Sequence, residues 1–206
     1  MFVNKIEEVD RKKCRIYIEG KQNIILYKGE IRKYNISENS DLENDIYEVI
    51  LKDVLYKRAF LKACHLLEKK DYTKYQLIMK LKQNEYPTEA IDNAIDKAIY
   101  YGYVNDDRYA YNYIESCIDK KSVSVIKRNL ITKGINKDII DKAFEIANLN
   151  GVAQNTSEMI RRILTKRHYY ENDKTREEIS KQYRYLLAKG FTSRDISQEL
   201  KLDISI

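Results

Sequence analysis

The sequence predicts a mainly α chain: an elongated array of three tandem three-helix repeats, preceded by a small N-terminal β-rich module. Three observations carry this. First, a phrase recurs three times. A helical run ends in a short polar step, then comes an apolar residue, a polar turn, and an apolar residue five positions on. The copies run Leu81–Ile91, Leu130–Ile140 and Leu186–Ile196, and their anchors Tyr86, Ile135 and Phe191 lie 49 and 56 residues apart. A phrase at such a period marks helical units that bury their apolar faces against neighbours. Second, apolar residues from about residue 45 onward recur near 3.6-residue spacing, and the single proline, Pro87, falls at a turn. Third, residues 1–36 instead hold short runs rich in β-branched and aromatic residues.

Those runs are Phe2–Ile6, Cys14–Ile18 and Asn23–Tyr27, separated by charged or Gly-containing breaks, and they read as a three-stranded meander. Three short strands bury little apolar area, so the meander is expected to pack on the first helices. Ser37 to Asp41 reads as the connection, and Ser40 with Glu43 fits a capping box opening a helix. The first repeat is expected at about 45–69, 74–83 and 88–101, the second at 106–119, 123–133 and 137–148, and the third at 152–169, 175–189 and 193–200. Thr73 with Gln76, Thr175 with Glu178, and Thr192 with Asp195 are start signals. Ile179, Tyr183, Leu186, Leu187 and Gly190 form the clearest apolar stripe. Its polar side carries Glu177, Lys181 and Arg184, with Glu177 and Lys181 at i, i+4. Gly134 and Gly190 sit where a helix C-terminus favours positive φ. Glu85 holds that place in the first copy, where strain is expected. The segments are then 1–40 for the β-rich module, 41–104 for the first repeat with its lead-in helix, and 105–150 and 151–206 for the second and third.

Composition excludes several classes. No run approaches the roughly 20 apolar residues that span a bilayer. Residues 1–7 lack a basic-then-apolar leader, and a cytoplasmic location is the expectation. Cys14, Cys64 and Cys117 are widely spaced and odd in number, which argues against a disulfide framework and a zinc site. His65 and His168 read as surface residues. No phosphate loop, nucleophile elbow or paired-histidine metal motif occurs, so neither enzymatic activity, a cofactor nor a metal is expected. Net charge is +6, but residues 1–50 hold 9 basic and 10 acidic side chains, so the repeats carry a net +7. That bias is compatible with nucleic-acid contact.

The repeats also resemble a known family. Ala59-Phe60-Leu61-Lys62-Ala63-Cys64-His65-Leu66-Leu67, then Thr73-Lys74-Tyr75-Gln76-Leu77-Ile78-Met79-Lys80-Leu81, is similar to the opening unit of the RecX regulators of bacterial recombination. Gly102-Tyr103-Val104-Asn105-Asp106-Asp107-Arg108-Tyr109-Ala110 and Ile126–Ile135 continue the match, which covers about residues 50–200. Asn84-Glu85 departs from the glycine usual at the first turn, and Gln76 replaces a usual Glu. The β-rich extension resembles that of longer members from low-GC Gram-positive bacteria. The resemblance implies a non-enzymatic modulator that binds the RecA recombinase filament on single-stranded DNA. It would act mostly by inhibiting ATP hydrolysis and strand exchange. Weak or non-specific contact with duplex DNA stays open, and a monomer without membrane contact is the expectation. The competing readings are a helix-turn-helix-like DNA-binding transcription regulator and a plain helical adaptor.

Asp106 and Asp107 read as helix N-terminal residues favoured by the backbone dipole. Functional charge is instead expected among exposed basic residues, in four clusters: Lys74, Lys80 and Lys82; Lys120, Lys121, Lys127 and Arg128; Arg161, Arg162, Lys166 and Arg167; and Lys181, Arg184 and Lys189. The candidate partner- or DNA-binding set is Lys74, Lys80, Lys82, Lys127, Arg128, Arg161, Arg162, Lys166, Arg167, Lys181 and Arg184. Arg161, Arg162 and Lys166 share one helix face, with Glu158 the only acidic neighbour expected there.

Overall fold

The computed structural model describes residues 1–171 and 174–202; the end of the expected third repeat, 203–206, lies outside the described residues. The chain divides into two compact units, residues 1–105 and 106–206. Strands β1 (Phe2–Glu8), β2 (Lys13–Ile18) and β3 (Ile24–Tyr27) are followed by helix α1 (Lys28–Lys33) and strand β4 (Ser40–Asp41). Helix α2 (Asn44–Val49) runs through a π-helical turn, Ile50–Leu55, into α3 (Tyr56–Leu67). Helices α4 (Lys74–Gln83) and α5 (Thr88–Tyr100) complete the first unit. The second holds α6 (Asp106–Cys117), α7 (Val123–Thr132), α8 (Lys137–Leu149), α9 (Thr156–Lys166), α10 (Arg176–Ala188) and α11 (Ser193–Leu200). The fold is therefore mainly α, with three tandem three-helix units after a small antiparallel sheet.

Four strands form that sheet, not three, in the order β3-β2-β1-β4. The addition is β4, whose Ser40 and Asp41 pair with Val3 and Phe2. Two residues carry no period to read, which is why the segment looks like a loop in sequence. The expected capping box at Ser40 is not formed. Ser40 Oγ donates to the Ser37 carbonyl at 2.7 Å, and Glu43 occupies the N-cap of α2 instead. Helix α1 was likewise illegible: six residues are too few for a helical stripe.

The sheet packs on the first helices as expected. Val3, Ile16, Ile24 and Leu26 share one core with Tyr47, Ile50, Leu55, Ala59, Leu77, Leu81 and Ile91. Burying each large side chain contributes roughly 1.5–3 kcal/mol. Polar ties fix the sheet to the helices. Arg58 of α3 donates to the Ile25 carbonyl at 3.2 Å and to Glu30 at 2.5 Å, and stacks over Tyr27. Gln22 Oε1 accepts from the Thr88 amide at 2.7 Å at the start of α5.

In the second unit, α6–α8 enclose a core around Ile114, Ile126, Leu130 and Ile140. Helices α9–α11 enclose another around Ile160, Leu164, Leu186 and Ile196. The Thr73, Thr175 and Thr192 hydroxyls accept from the amides of Gln76, Glu178 and Asp195, as their spacing predicts. Two details differ. Leu187 is exposed, because Leu186 already fills the inward position of that turn. Helix α9 spans Thr156–Lys166, shorter than expected at both ends. Gly151 (φ +77°) closes α8 and leaves Val152–Asn155 as a link, while His168 (φ +58°) reverses the chain after α9.

The repeated phrase has one physical cause. In each copy the second helix ends in a residue with left-handed backbone: Glu85 (φ +57°), Gly134 (φ +81°) and Gly190 (φ +82°). The next residue, an anchor of the phrase, donates its amide back to the leucine five positions earlier. Tyr86 donates to Leu81 at 3.4 Å, Ile135 to Leu130 at 3.2 Å and Phe191 to Leu186 at 3.2 Å. This is the Schellman closure, whose hydrophobic contact joins those same two residues.

Glu85 is the strained member. Its carboxylate takes a fork from Arg15 of β2, at 2.7 Å to Nε and 2.6 Å to Nη2. That hydrogen bond holds the Glu85 carboxyl below its ordinary range. Replacing Glu85 by Ala removes the fork and keeps the left-handed strain, whereas Gly removes both. Glu85→Gly is therefore expected to be more stable than Glu85→Ala by about 1 kcal/mol, the reverse of the usual helical order. Urea unfolding of both variants measures the difference.

Candidate nucleic-acid interface

The expected basic residues differ in how far they are engaged within the chain. On α4, Lys74, Lys80 and Lys82 are exposed, and Lys80 donates to Gln83 at 3.1 Å. On α7, Lys127 donates to Asp141 of α8 at 2.5 Å and lies over Phe144, so it ties two helices together. Arg128 beside it is exposed. On α10, Lys181 pairs with Glu178 at 3.4 Å rather than with Glu177. Glu178 is fixed by capping and by a hydrogen bond from Gln182, which brings it within reach. Arg184 is exposed and donates to the Ser180 carbonyl. Arg167 stacks on Tyr185, 3.8 Å from the ring centre, and donates to Gln182 at 2.5 Å.

The face formed by Arg161, Arg162 and Lys166 differs from expectation. Arg161 donates to Glu199 of α11 at 2.7 Å from Nε and 3.3 Å from Nη2, and the Glu199 side chain is only 6% exposed. Arg162 is 3.7 Å from Glu158. Glu158 is thus not the only acidic neighbour. Residue 199 lies 38 positions from Arg161, beyond the reach of helical spacing rules. The hydrogen bond that Arg161 donates to Glu199 strengthens the hold of Arg161 on its proton. Arg161 therefore braces α9 against α11; Arg161, Arg162 and Lys166 are all exposed, but the first two lie against carboxylates.

The structure gathers a different set where the second and third three-helix units meet. Ser122, the N-cap of α7, accepts from the Val125 amide at 3.4 Å and donates to the Lys189 carbonyl at 2.7 Å. The next residue, Gly190, comes so close that a Cβ there would lie 2.7 Å from Ser122 Oγ and 3.1 Å from Val125 Cγ2. Gln154, in the link before α9, donates to the carbonyls of Ile118 and Lys121 at 2.8 and 2.7 Å. The Ser122–Lys189 bond locks the α6–α7 turn onto the α10–α11 turn, and the Gln154 bonds tie the same turn to the link before α9. A cleft of about 330 Å³ opens beside this contact, lined by Lys120, Lys121 and Lys189 together with Ser122, Val125, Met159, Ile163 and Phe191. A second, more open cleft of about 610 Å³ is flanked by Lys127 and Arg128.

Sequence reasoning placed Lys120 and Lys121 in one cluster and Lys189 in another, and kept all three out of the candidate set. The signal available was that each flanks a turn, next to the cap Ser122 or the glycine Gly190. Their meeting depends on a contact spanning 67 positions.

Tandem three-helix units with polar-capped joints define a helical-repeat protein. The comparisons say which. The first, second and third three-helix domains of RecX match residues 59–97, 105–143 and 156–200. The chain belongs to the RecX family. It is 26% identical over 200 residues to the regulatory protein RecX of Clostridium beijerinckii, covering 96% of this chain and 92% of that protein. It is 29% identical over 205 residues to that of Clostridium acetobutylicum, covering 97% and 94%. A crystal structure of a regulatory protein RecX shares the fold with a TM-score of 0.63 at 21% identity, over 97% of this chain and 98% of that one. The family is one of regulatory proteins.

Two stability predictions follow from this geometry. Gly190→Ala forces a side chain into left-handed backbone and into Ser122, so a loss of more than about 1–2 kcal/mol is expected in chemical unfolding. Arg161→Glu places a carboxylate against buried Glu199 and should lower the melting temperature, whereas Lys166→Glu should leave it nearly unchanged. Equal melting temperatures for the two variants would refute the bracing role of Arg161.

Proposed function

We propose that this chain binds the filament formed by the RecA recombinase on single-stranded DNA and modulates it, mostly by inhibiting ATP hydrolysis and strand exchange. It works in recombination and DNA repair, in the cytoplasm, as a monomer without cofactor. The observation that carries this reading is the match to RecX over all three three-helix domains, since modulation of RecA is that family's role. The charge distribution supports it: net +7 beyond residue 50 suits an acidic protein groove or a phosphate backbone. No helix of the described residues is long and apolar enough to cross a membrane.

The test is direct. Purified chain, titrated into recombinase assembled on single-stranded DNA, should suppress DNA-dependent ATP turnover at or below one molecule per recombinase protomer. It should hydrolyse no ATP itself. Unchanged ATP turnover and strand exchange, together with tight binding to one duplex sequence, would replace this reading with a helix-turn-helix-like transcription regulator.

A further inference from the structure

We infer that the 330 Å³ cleft between the α6–α7 turn and the α10–α11 turn is a phosphodiester-binding site for a single nucleic-acid strand, held by Lys120, Lys121 and Lys189. This deepens the proposed function and rests on it only for the identity of the partner complex.

The first argument is where uncompensated charge lies. Lys127, Arg161, Arg162 and Lys181 each pair with a carboxylate. Among the described residues the three lysines of the cleft do not. Lys120 donates to the Ser116 carbonyl at 3.0 Å, Lys121 to the Tyr113 hydroxyl at 3.1 Å, and Lys189 lies over the Tyr185 ring at 5.3 Å. All three partners are neutral, so none of them offsets the ammonium charge. No carboxylate lines the cleft; Asp119, next in sequence to Lys120, is absent from its walls. Three like charges around one concavity repel one another unless an anion lies between them.

The second argument is construction. The lysines come from two turns that the Ser122–Lys189 hydrogen bond clamps together, and Gly190 permits that approach. Lys189 is the residue whose carbonyl accepts that bond, so the clamp sets where its side chain begins. The cations are thus mounted on a fixed joint rather than scattered along a solvated helix.

The third argument is size. A cleft of about 330 Å³ is at the lower end of small-ligand pockets. It admits a nucleotide-sized length of an extended strand, whereas a duplex can only lie across the rim. Beside the lysines the lining is apolar except for Ser122, whose hydroxyl is already engaged by the Lys189 carbonyl and the Val125 amide, so base edges are not read here. Recognition here is of backbone charge, without sequence preference.

The experiment measures binding of a fluorescent oligothymidylate across a salt series, using the full chain and the triple variant Lys120→Gln, Lys121→Gln, Lys189→Gln. The control is Lys5→Gln, Lys12→Gln, Lys13→Gln in the β-rich module, an equal change of charge. At low salt the cleft variant should bind about tenfold or more weakly, and its log–log salt slope should be shallower by about 2, at roughly 0.7 per single-strand phosphate released. The control should match the parent. Circular dichroism and melting temperature should be unchanged or raised for the cleft variant; if it unfolds, the single variant Lys189→Gln, expected to flatten the slope by about 0.7, decides instead. Unaltered affinity and slope overturn the inference. So does loss of poly-glutamate binding with oligonucleotide binding intact, which would assign the cleft to an acidic protein surface. Recombinase ATP turnover is read separately. Loss of oligonucleotide binding alone, with suppression of turnover preserved, upholds the cleft and places the recombinase contact elsewhere. An inert parent chain in the turnover assay, still binding oligonucleotide through the cleft, overturns the recombinase reading and not this one.

Discussion

The rest of this structure depends on one backbone constraint: a single left-handed residue after the second helix of each three-helix unit. At Glu85, Gly134 and Gly190 the chain takes positive φ, and the following amide returns to a buried leucine. The reversal satisfies helix-end carbonyls that would otherwise stay unpaired. It also drives Tyr86, Ile135 and Phe191 back onto their units, where Ile135 and Phe191 are buried and Tyr86 packs on the first core. The same closure ends α5 at Gly102, α8 at Gly151 and α9 at His168. Sharp, hydrogen-bonded ends let short helices of 8 to 13 residues pack as units. Isolated helices of that length are marginal in water.

The constraint reaches the proposed cleft through Gly190. Its missing side chain lets the α10–α11 turn approach Ser122, and the Ser122–Lys189 bond then joins two units. Three of the expected basic residues elsewhere are employed in holding helices together. Lys127 ties α7 to α8, Arg161 ties α9 to α11, and Arg167 ties the end of α9 to Tyr185 and Gln182 of α10. Counting cations therefore overstates the charge available to a partner. What matters is which cations lack a carboxylate and also face a concavity.

The first unit shows the same economy with different residues. Glycine is replaced by Glu85 at its turn, and the carboxylate so placed receives the fork from Arg15 of β2. Arg58 plays a matching part at β3 through Ile25, Glu30 and Tyr27. The sheet is thus bound to its helices by two arginines as well as by the shared core. A glycine at position 85 would relax the turn and release the sheet's tie, so the departure from the usual residue is a structural exchange.

The sequence by itself determined the helical period, the three units, the β-rich start and most caps. These are local: a threonine three residues before its partner amide, a glycine at a helix end, and an apolar stripe all act within one or two turns of chain. It did not reveal α1, β4 or the link before α9, because six, two and four residues carry no period. Only the tertiary structure decided which cations are spent on internal pairs and which converge. Glu199 reaches Arg161 across 38 positions, and Lys189 meets Ser122 across 67. Charge is written in the sequence residue by residue, but its compensation is set by distance in space, and only the packed helices fix those distances.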